Sequence, residues 1–180
     1  MLPLTEPQAT LDRRVAEARF HRLYSEYGRE VMAYALRRTV DAEDAADVVS
    51  ETFLVAWRRA AEVSPGPEAC LWLFGVARRT LANQRRGQRR RDRLAQRLRQ
   101  DLAAASPAFA EPERESEAVR SALERLSPED REILRLTSWE ELAPAQAARV
   151  LEISAVAARS RLHRARRRLR RELNQAKEGA

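Results

Sequence analysis

The sequence predicts an all-α protein made of two small helical domains joined by a flexible linker. Three observations predict it. Apolar residues recur at spacings of three and four along most of the chain, the period of one helix face. Capping and breaking residues, chiefly Ser, Asp and Pro, separate those stretches. With 44% hydrophobic residues, 34% charged residues and only five glycines, the chain can fill packed cores but lacks the β-branched pattern of a large sheet. Its 180 residues suffice for one domain or two small ones.

Residues 1–18 are expected to form an N-terminal tail and residues 19–99 the first domain. There Phe20, Leu23, Tyr24, Tyr27, Val31 and Tyr34 make one apolar helix line. Asp41 offers an N-cap to a second helix, AEDAADVVSETFLVAWRRAAE, with Asp44 in its first turn. That helix is expected to bury Ala45, Val48, Val49, Thr52, Val55 and Ala56 and to show Asp44, Asp47 and Glu51 as an acidic stripe. SPGP at 64–67 breaks it. A third helix buries Leu71, Phe74, Ala77 and Leu81, leaving Arg78, Arg79 and Asn83 elsewhere on its circumference.

The stretch 100–117, ending in EPERESE, reads as an acidic, Ala- and Pro-bearing linker. The second domain, 118–177, reads as four helices. The first is SEAVRSALERL, and Ser127-Pro128-Glu129-Asp130 then supplies an N-cap, a proline at the first helical position and acids in the first turn of the next. Pro144 opens a short third helix, AQAARVL. After the break Glu152-Ile153-Ser154, capped by Ser154, comes the basic helix AVAARSRLHRARRRLRREL. Leu162, Ala165, Leu169 and Leu173 make its apolar side. A short helix, a three-residue turn and a longer basic helix is the spacing of a helix-turn-helix, with Ala148 allowing close approach and Ile153 plugging the turn. In that arrangement the second helix enters a DNA major groove. Arg159, Ser160, His163 and Arg164 can share its exposed face, while Arg161, Arg166 and Arg168 flank it at phosphate positions. An arginine fork can take guanine O6 and N7 together, worth about 1–3 kcal/mol of discrimination.

Charge follows the same division. Lys plus Arg number 34 against 27 Asp plus Glu, a formal charge of +7, and Lys177 is the sole lysine. Residues 41–62 hold six acids against two arginines, 78–99 hold ten arginines against Asp92 alone, and 159–171 hold eight arginines and no acid. Two basic segments across an acidic connector suggest two modules that each meet a polyanion. Cys70 alone cannot form an internal disulfide, His21 and His163 lie far apart, and no apolar run reaches a membrane span. No metal or other cofactor is expected, and with no secretory signal at the N-terminus the expected location is the cytoplasm. Without a glycine-rich phosphate loop, nucleophile elbow or carboxylate pair, an enzyme is not expected either.

Four segments, YSEYGREVMAYALRR, DAEDAADVVSETFLVAWRR, CLWLFGVARRTLANQRR and REILRLTSWEELAPAQAARVLEISAVAARSRLHRARRRL, resemble in order and spacing a bacterial RNA polymerase sigma factor. The resemblance is to the extracytoplasmic-function group, the short kind with regions 2 and 4 only. It implies that the first domain is region 2, with Asp44, Asp47, Glu51 and Trp57 docking on the clamp helices of core RNA polymerase. It further implies that the loop 62–68 and the helix bearing Trp72, Arg78, Arg79 and Asn83 capture unpaired bases of the minus-ten promoter element. The helix-turn-helix then corresponds to region 4, reading the minus-thirty-five element through Arg159, Ser160, Arg161, His163, Arg164 and Arg166 and packing on the polymerase flap. The linker would thread along the polymerase, and an anti-sigma factor becomes a candidate partner. Free of polymerase, the chain is expected to be a monomer.

The chain departs from the family pattern at the helix-turn-helix. Glu152 stands where glycine is usual in the turn, and Val156, Ala157 and Ala158 replace a Gly-Thr-Val run. Glu152 must either avoid a left-handed conformation or adopt one at about 1 kcal/mol, and Ala158 thins the packing of the recognition helix. A rival reading is a helix-turn-helix transcriptional regulator with an N-terminal sensing or dimerisation module. Another is an RNA- or ribosome-associated helical protein. The first leaves the acidic second helix and the arginine-rich third unexplained, and the second accounts for the arginines but not for the capped helix-turn-helix.

Overall fold

A computed structural model describes residues 6–60, 62–64, 66–98 and 117–178. Seven helices and no strand occur among them: α1 Glu6–Leu36, α2 Ala42–Arg58, α3 Pro67–Leu98, α4 Glu117–Glu124, α5 Pro128–Ser138, α6 Pro144–Leu151 and α7 Ala155–Glu178. The chain divides into two compact units, residues 1–109 and 110–180. The break falls within the stretch read as the acidic linker, which apart from Glu117 lies outside the described residues.

In the first unit α1, α2 and α3 pack against one another in all three pairings. The core is Val31, Tyr34 and Ala35 of α1, Ala45, Val48, Val49, Phe53 and Ala56 of α2, and Leu71, Leu73, Phe74, Val76, Ala77 and Leu81 of α3. Tyr34 stacks on Phe74 at a centroid distance of 4.9 Å. The Asp41 side chain accepts the Asp44 N–H at 2.7 Å, capping α2 as its sequence requires. Three expectations need correction. Helix α1 begins at Glu6, so it takes in most of the segment read as a tail. Helix α2 stops at Arg58 rather than running on to Glu62: the Arg59 N–H closes the last turn onto Val55, and Glu62 N–H bonds back to Arg59 in a separate turn. Val55, expected in the core, is only half-buried, while Phe53, outside the expected set, is buried with its ring against Tyr24 and Phe20.

In the second unit α4, α5 and α6 each pack on α7, around Leu123, Ile133, Leu136, Val150, Ala158, Leu162 and Ala165. The Ser127 Oγ accepts the Asp130 N–H at 3.2 Å, with Pro128 opening α5. Arg131 of α5 donates to the carbonyls of Leu123, Glu124 and Leu126, joining α5 to the end of α4 and the turn after it. At the start of α6 the Gln146 Oε1 accepts the Ala143 N–H at 2.9 Å, half of a capping box, since Ala143 has no polar side chain to complete it. No described helix is long and apolar enough to cross a membrane.

Candidate nucleic-acid interface

The helix-turn-helix consists of α6, the turn 152–154 and α7. The Glu152 N–H bonds to the Arg149 carbonyl at 3.2 Å and the Ile153 N–H to the Ala148 carbonyl at 3.0 Å. This is a Schellman ending, and it puts Glu152 at φ 57, in the left-handed region that glycine normally supplies. Of the two outcomes open to Glu152, the chain therefore takes the strained one. Ile153 is half-buried rather than a sealed plug. Ser154 Oγ then accepts the Ala157 N–H at 3.1 Å and starts α7. Ala148 and Ala158 are both buried, and their small size lets the two helices approach closely.

Along α7 the buried line Ala158, Leu162 and Ala165 leaves Arg159, Ser160, His163, Arg164 and Arg166 exposed and Arg161 half-buried. The structure thus brings these six residues onto the free circumference of one 24-residue helix, about 36 Å long. Arg168, expected at a phosphate, is engaged elsewhere: its guanidinium pairs with the buried Asp130 carboxylate at the start of α5.

In the first unit Asp44, Asp47 and Glu51 are all exposed along α2. Asp47 and Glu51 share an open groove of about 460 Å³ with Ser50 and with Thr80, Asn83 and Gln84 of α3. The residues read as polymerase-facing and the Asn83 read as DNA-facing are thus neighbours across one groove. Asn83 Oδ1 also accepts from the Arg86 guanidinium. A smaller hollow of about 260 Å³ beside Asp44 and Asp47 is lined by Arg38, Leu81 and Arg85. Arg38 is buried with its guanidinium 3.6 Å from the Tyr34 ring centroid, and Arg85 donates to the Arg38 carbonyl at 2.9 Å. Arg85 therefore fastens α3 to the end of α1. Arg89, Arg90, Arg91, Arg93 and Arg97 lie on α3, with side chains outside the described residues, and Arg99 falls outside the described residues altogether.

Trp57 is 37% exposed and meets Phe20 edge-to-face at 5.3 Å, so it is a rim aromatic and not a core one. Tyr24, 53% exposed, and Leu54 extend the same apolar rim. On α3, Trp72 and Arg78 are half-buried, while Arg79 and Asn83 are exposed. Trp72, Arg79 and Asn83, seven and four residues apart, fall on one side of α3, whereas Arg78 sits beside its buried line. Arg59, at the end of α2, lies 6.0 Å from the Trp72 ring centroid. It also pairs with Glu62, whose carboxyl is held below its usual range chiefly by that hydrogen bond.

One contact was not foreseen. The Tyr27 hydroxyl on α1 reaches the Gly66 carbonyl at 2.9 Å and the Glu26 carboxylate at 2.6 Å. Loss of hydration, and then the Glu26 hydrogen bond, push the Tyr27 phenol up to about 12. Helical spacing named Tyr27 as an apolar-face residue, but nothing in the spacing reveals which loop its hydroxyl touches.

A three-helix module with an acidic helix, followed along the chain by a four-helix module ending in an arginine-covered recognition helix, defines a DNA-binding protein with surfaces of opposite charge. The sequence pattern of Sigma-70 region 2 matches residues 23–91, and that of Sigma-70, region 4 matches residues 116–169. The chain belongs to the extracytoplasmic-function RNA polymerase sigma factors. It is 35% identical to the "ECF RNA polymerase sigma factor SigL" of Mycobacterium tuberculosis over 162 residues, covering 86% of this chain and 89% of that one. Among solved structures it is similar to the sigma factor RpoE of Bartonella quintana in complex with the anti-sigma factor NepR. That likeness has a TM-score of 0.65 and 25% identity and covers 86% of this chain and 96% of that one. It is also similar to CnrH in complex with the cytosolic domain of CnrY, at a TM-score of 0.62 and 25% identity, over 91% and 97% of the two chains.

Proposed function

We propose that this sigma factor divides its work by charge. The exposed stripe Asp44, Asp47 and Glu51, with the rim aromatic Trp57, docks on an arginine-rich helical surface of core RNA polymerase. Trp72, Arg79 and Asn83, with Arg78 at the edge of their face, meet the unpaired minus-ten strand. Arg159, Ser160, Arg161, His163, Arg164 and Arg166 read the duplex minus-thirty-five element. The observation that carries this reading is the segregation itself: three carboxylates exposed along α2, and arginines on the free circumference of α7. Opposite signs on separate faces suit a protein that must hold a basic polymerase surface and DNA at once.

The factor supplies no covalent chemistry of its own, and bond formation belongs to the polymerase. It works in the cytoplasm, where polymerase and promoter are found. An anti-sigma factor is a fitting regulator, because the similar proteins RpoE and CnrH were solved with NepR and with the cytosolic domain of CnrY. Run-off transcription with purified core polymerase, this chain and a genomic promoter library tests the reading. Initiation confined to a promoter subset sharing two elements is expected, and initiation no different from core polymerase alone would sink it.

A further inference from the structure

We propose that Tyr27 is a positioning residue for promoter melting: its hydroxyl, reaching from α1 to the Gly66 carbonyl, holds the α2–α3 turn in the shape that captures an unpaired base. The proposal rests on the assignment of that turn and of α3 to the minus-ten element.

Gly66 is the last residue before α3 and has φ +79, and a Cβ placed on it would meet nothing within 4 Å. No packed side chain therefore fixes Gly66 on that side. Its carbonyl instead meets two donors, the Ala69 N–H at 2.8 Å and the Tyr27 hydroxyl at 2.9 Å, whose single proton the Glu26 carboxylate also competes for. The first bond is local and shapes the opening of α3. The second spans 39 residues and ties the turn to a different helix. The Arg59–Glu62 pair, three residues apart, is a local contact at the start of the turn.

The phenol keeps its proton throughout the physiological range, so it remains a donor. Glu26, its neighbour on α1, offers a second acceptor at 2.6 Å. A bond to Glu26 stays within α1 and cannot hold the turn, so the Gly66 contact is the one with consequences for DNA. A turn ordered before capture spares the complex the entropy of ordering it afterwards. Loss of the hydroxyl should therefore appear in base capture and not in docking on the polymerase.

The test uses the full chain with core polymerase and a fork-junction DNA. Its unpaired non-template bases are those the wild-type protein selects in run-off transcription. Tyr27→Phe keeps the ring and removes the oxygen. It is expected to bind this DNA about five-fold more weakly, the worth of one neutral hydrogen bond, and to discriminate less between the selected base and its substitutes. Affinity for core polymerase and for minus-thirty-five duplex should stay at wild type. Glu26→Gln, which leaves the Gly66 bond available, is expected to behave as wild type on the fork junction. Wild-type capture and discrimination by Tyr27→Phe would overturn the proposal, as would an equal loss with Glu26→Gln or a parallel loss of polymerase binding. A wild-type holoenzyme indifferent to the unpaired bases would instead bring down the minus-ten assignment, and this proposal with it.

Discussion

The guanidinium of Arg168, late in the recognition helix, is paired with the buried carboxylate of Asp130 in the first turn of α5. A second ion pair, Arg125 with Glu172 at 3.7 Å, lies one turn further along α7. These contacts tie the later turns of α7 to the start of α5 and to Arg125, and the first removes one arginine from the set free to touch DNA.

Arg168→Ala is accordingly expected to act through stability. With Arg168 half exposed and Asp130 buried, the loss should be about 1 kcal/mol, seen as a lower melting transition in the full chain. Its salt dependence of DNA binding should stay near wild type. Arg166→Ala, removing an exposed side chain, should reduce the slope of log K against log salt by about one unit without lowering that transition. A reversed pattern in the two titrations would exchange their roles.

Charge reversal at Asp44, Asp47 and Glu51 should weaken core polymerase binding by an order of magnitude or more, and the loss should shrink at high salt. All three are exposed and none is in the apolar core, so thermal unfolding is expected to change little. An unaltered affinity in a pull-down would remove the stripe from the interface.

Arg164→Ala should lower initiation at promoters with an intact minus-thirty-five element by about ten-fold, within the 1–3 kcal/mol of a base contact. Promoters with that element scrambled should be nearly indifferent. Equal loss on both would make Arg164 a phosphate contact.

Glu152 and Gly66 both have positive φ and call for opposite substitutions. Glu152→Gly relieves a left-handed L-residue and should stabilise the chain by at most about 1 kcal/mol, since the added backbone freedom offsets part of the gain. Gly66→Ala should cost about 1 kcal/mol through backbone strain alone, its Cβ finding open space. Thermal melts of the two single variants check the signs.

Alkaline pH gives a further check on Tyr27. Its folded-state value of about 12 lies above the ordinary 10.0, so the protonated phenol favours the fold. That contribution is complete below pH 10 and fades as pH rises towards 12. The stability gap between wild type and Tyr27→Phe should narrow across that window. A gap constant with pH would detach the hydroxyl from stability.

The helices and their caps were legible because they depend on near neighbours. Asp41, Ser127 and Ser154 each cap a helix from three residues away, and one exposed recognition face follows from the 3.6-residue period of α7. The end of α2 was not legible, since AAE continues a good helical pattern past Arg58. Phe53 could have been found, lying four residues after Val49 and four before Trp57. The juxtaposition of Asp47 and Glu51 with Asn83 could not, because no periodicity states which helix faces which.

The sequence by itself determined the helical class, the two modules, the recognition-helix face and the acidic stripe, all properties of residues within a few positions of one another. Only the tertiary structure decided that Arg168 belongs to Asp130, that Arg85 fastens α3 to the end of α1, that Glu152 accepts a left-handed backbone, and that Tyr27 grips the turn before α3. Those are contacts between distant residues or choices between local conformations of similar energy. Packing of the whole unit is what makes one of them cheaper.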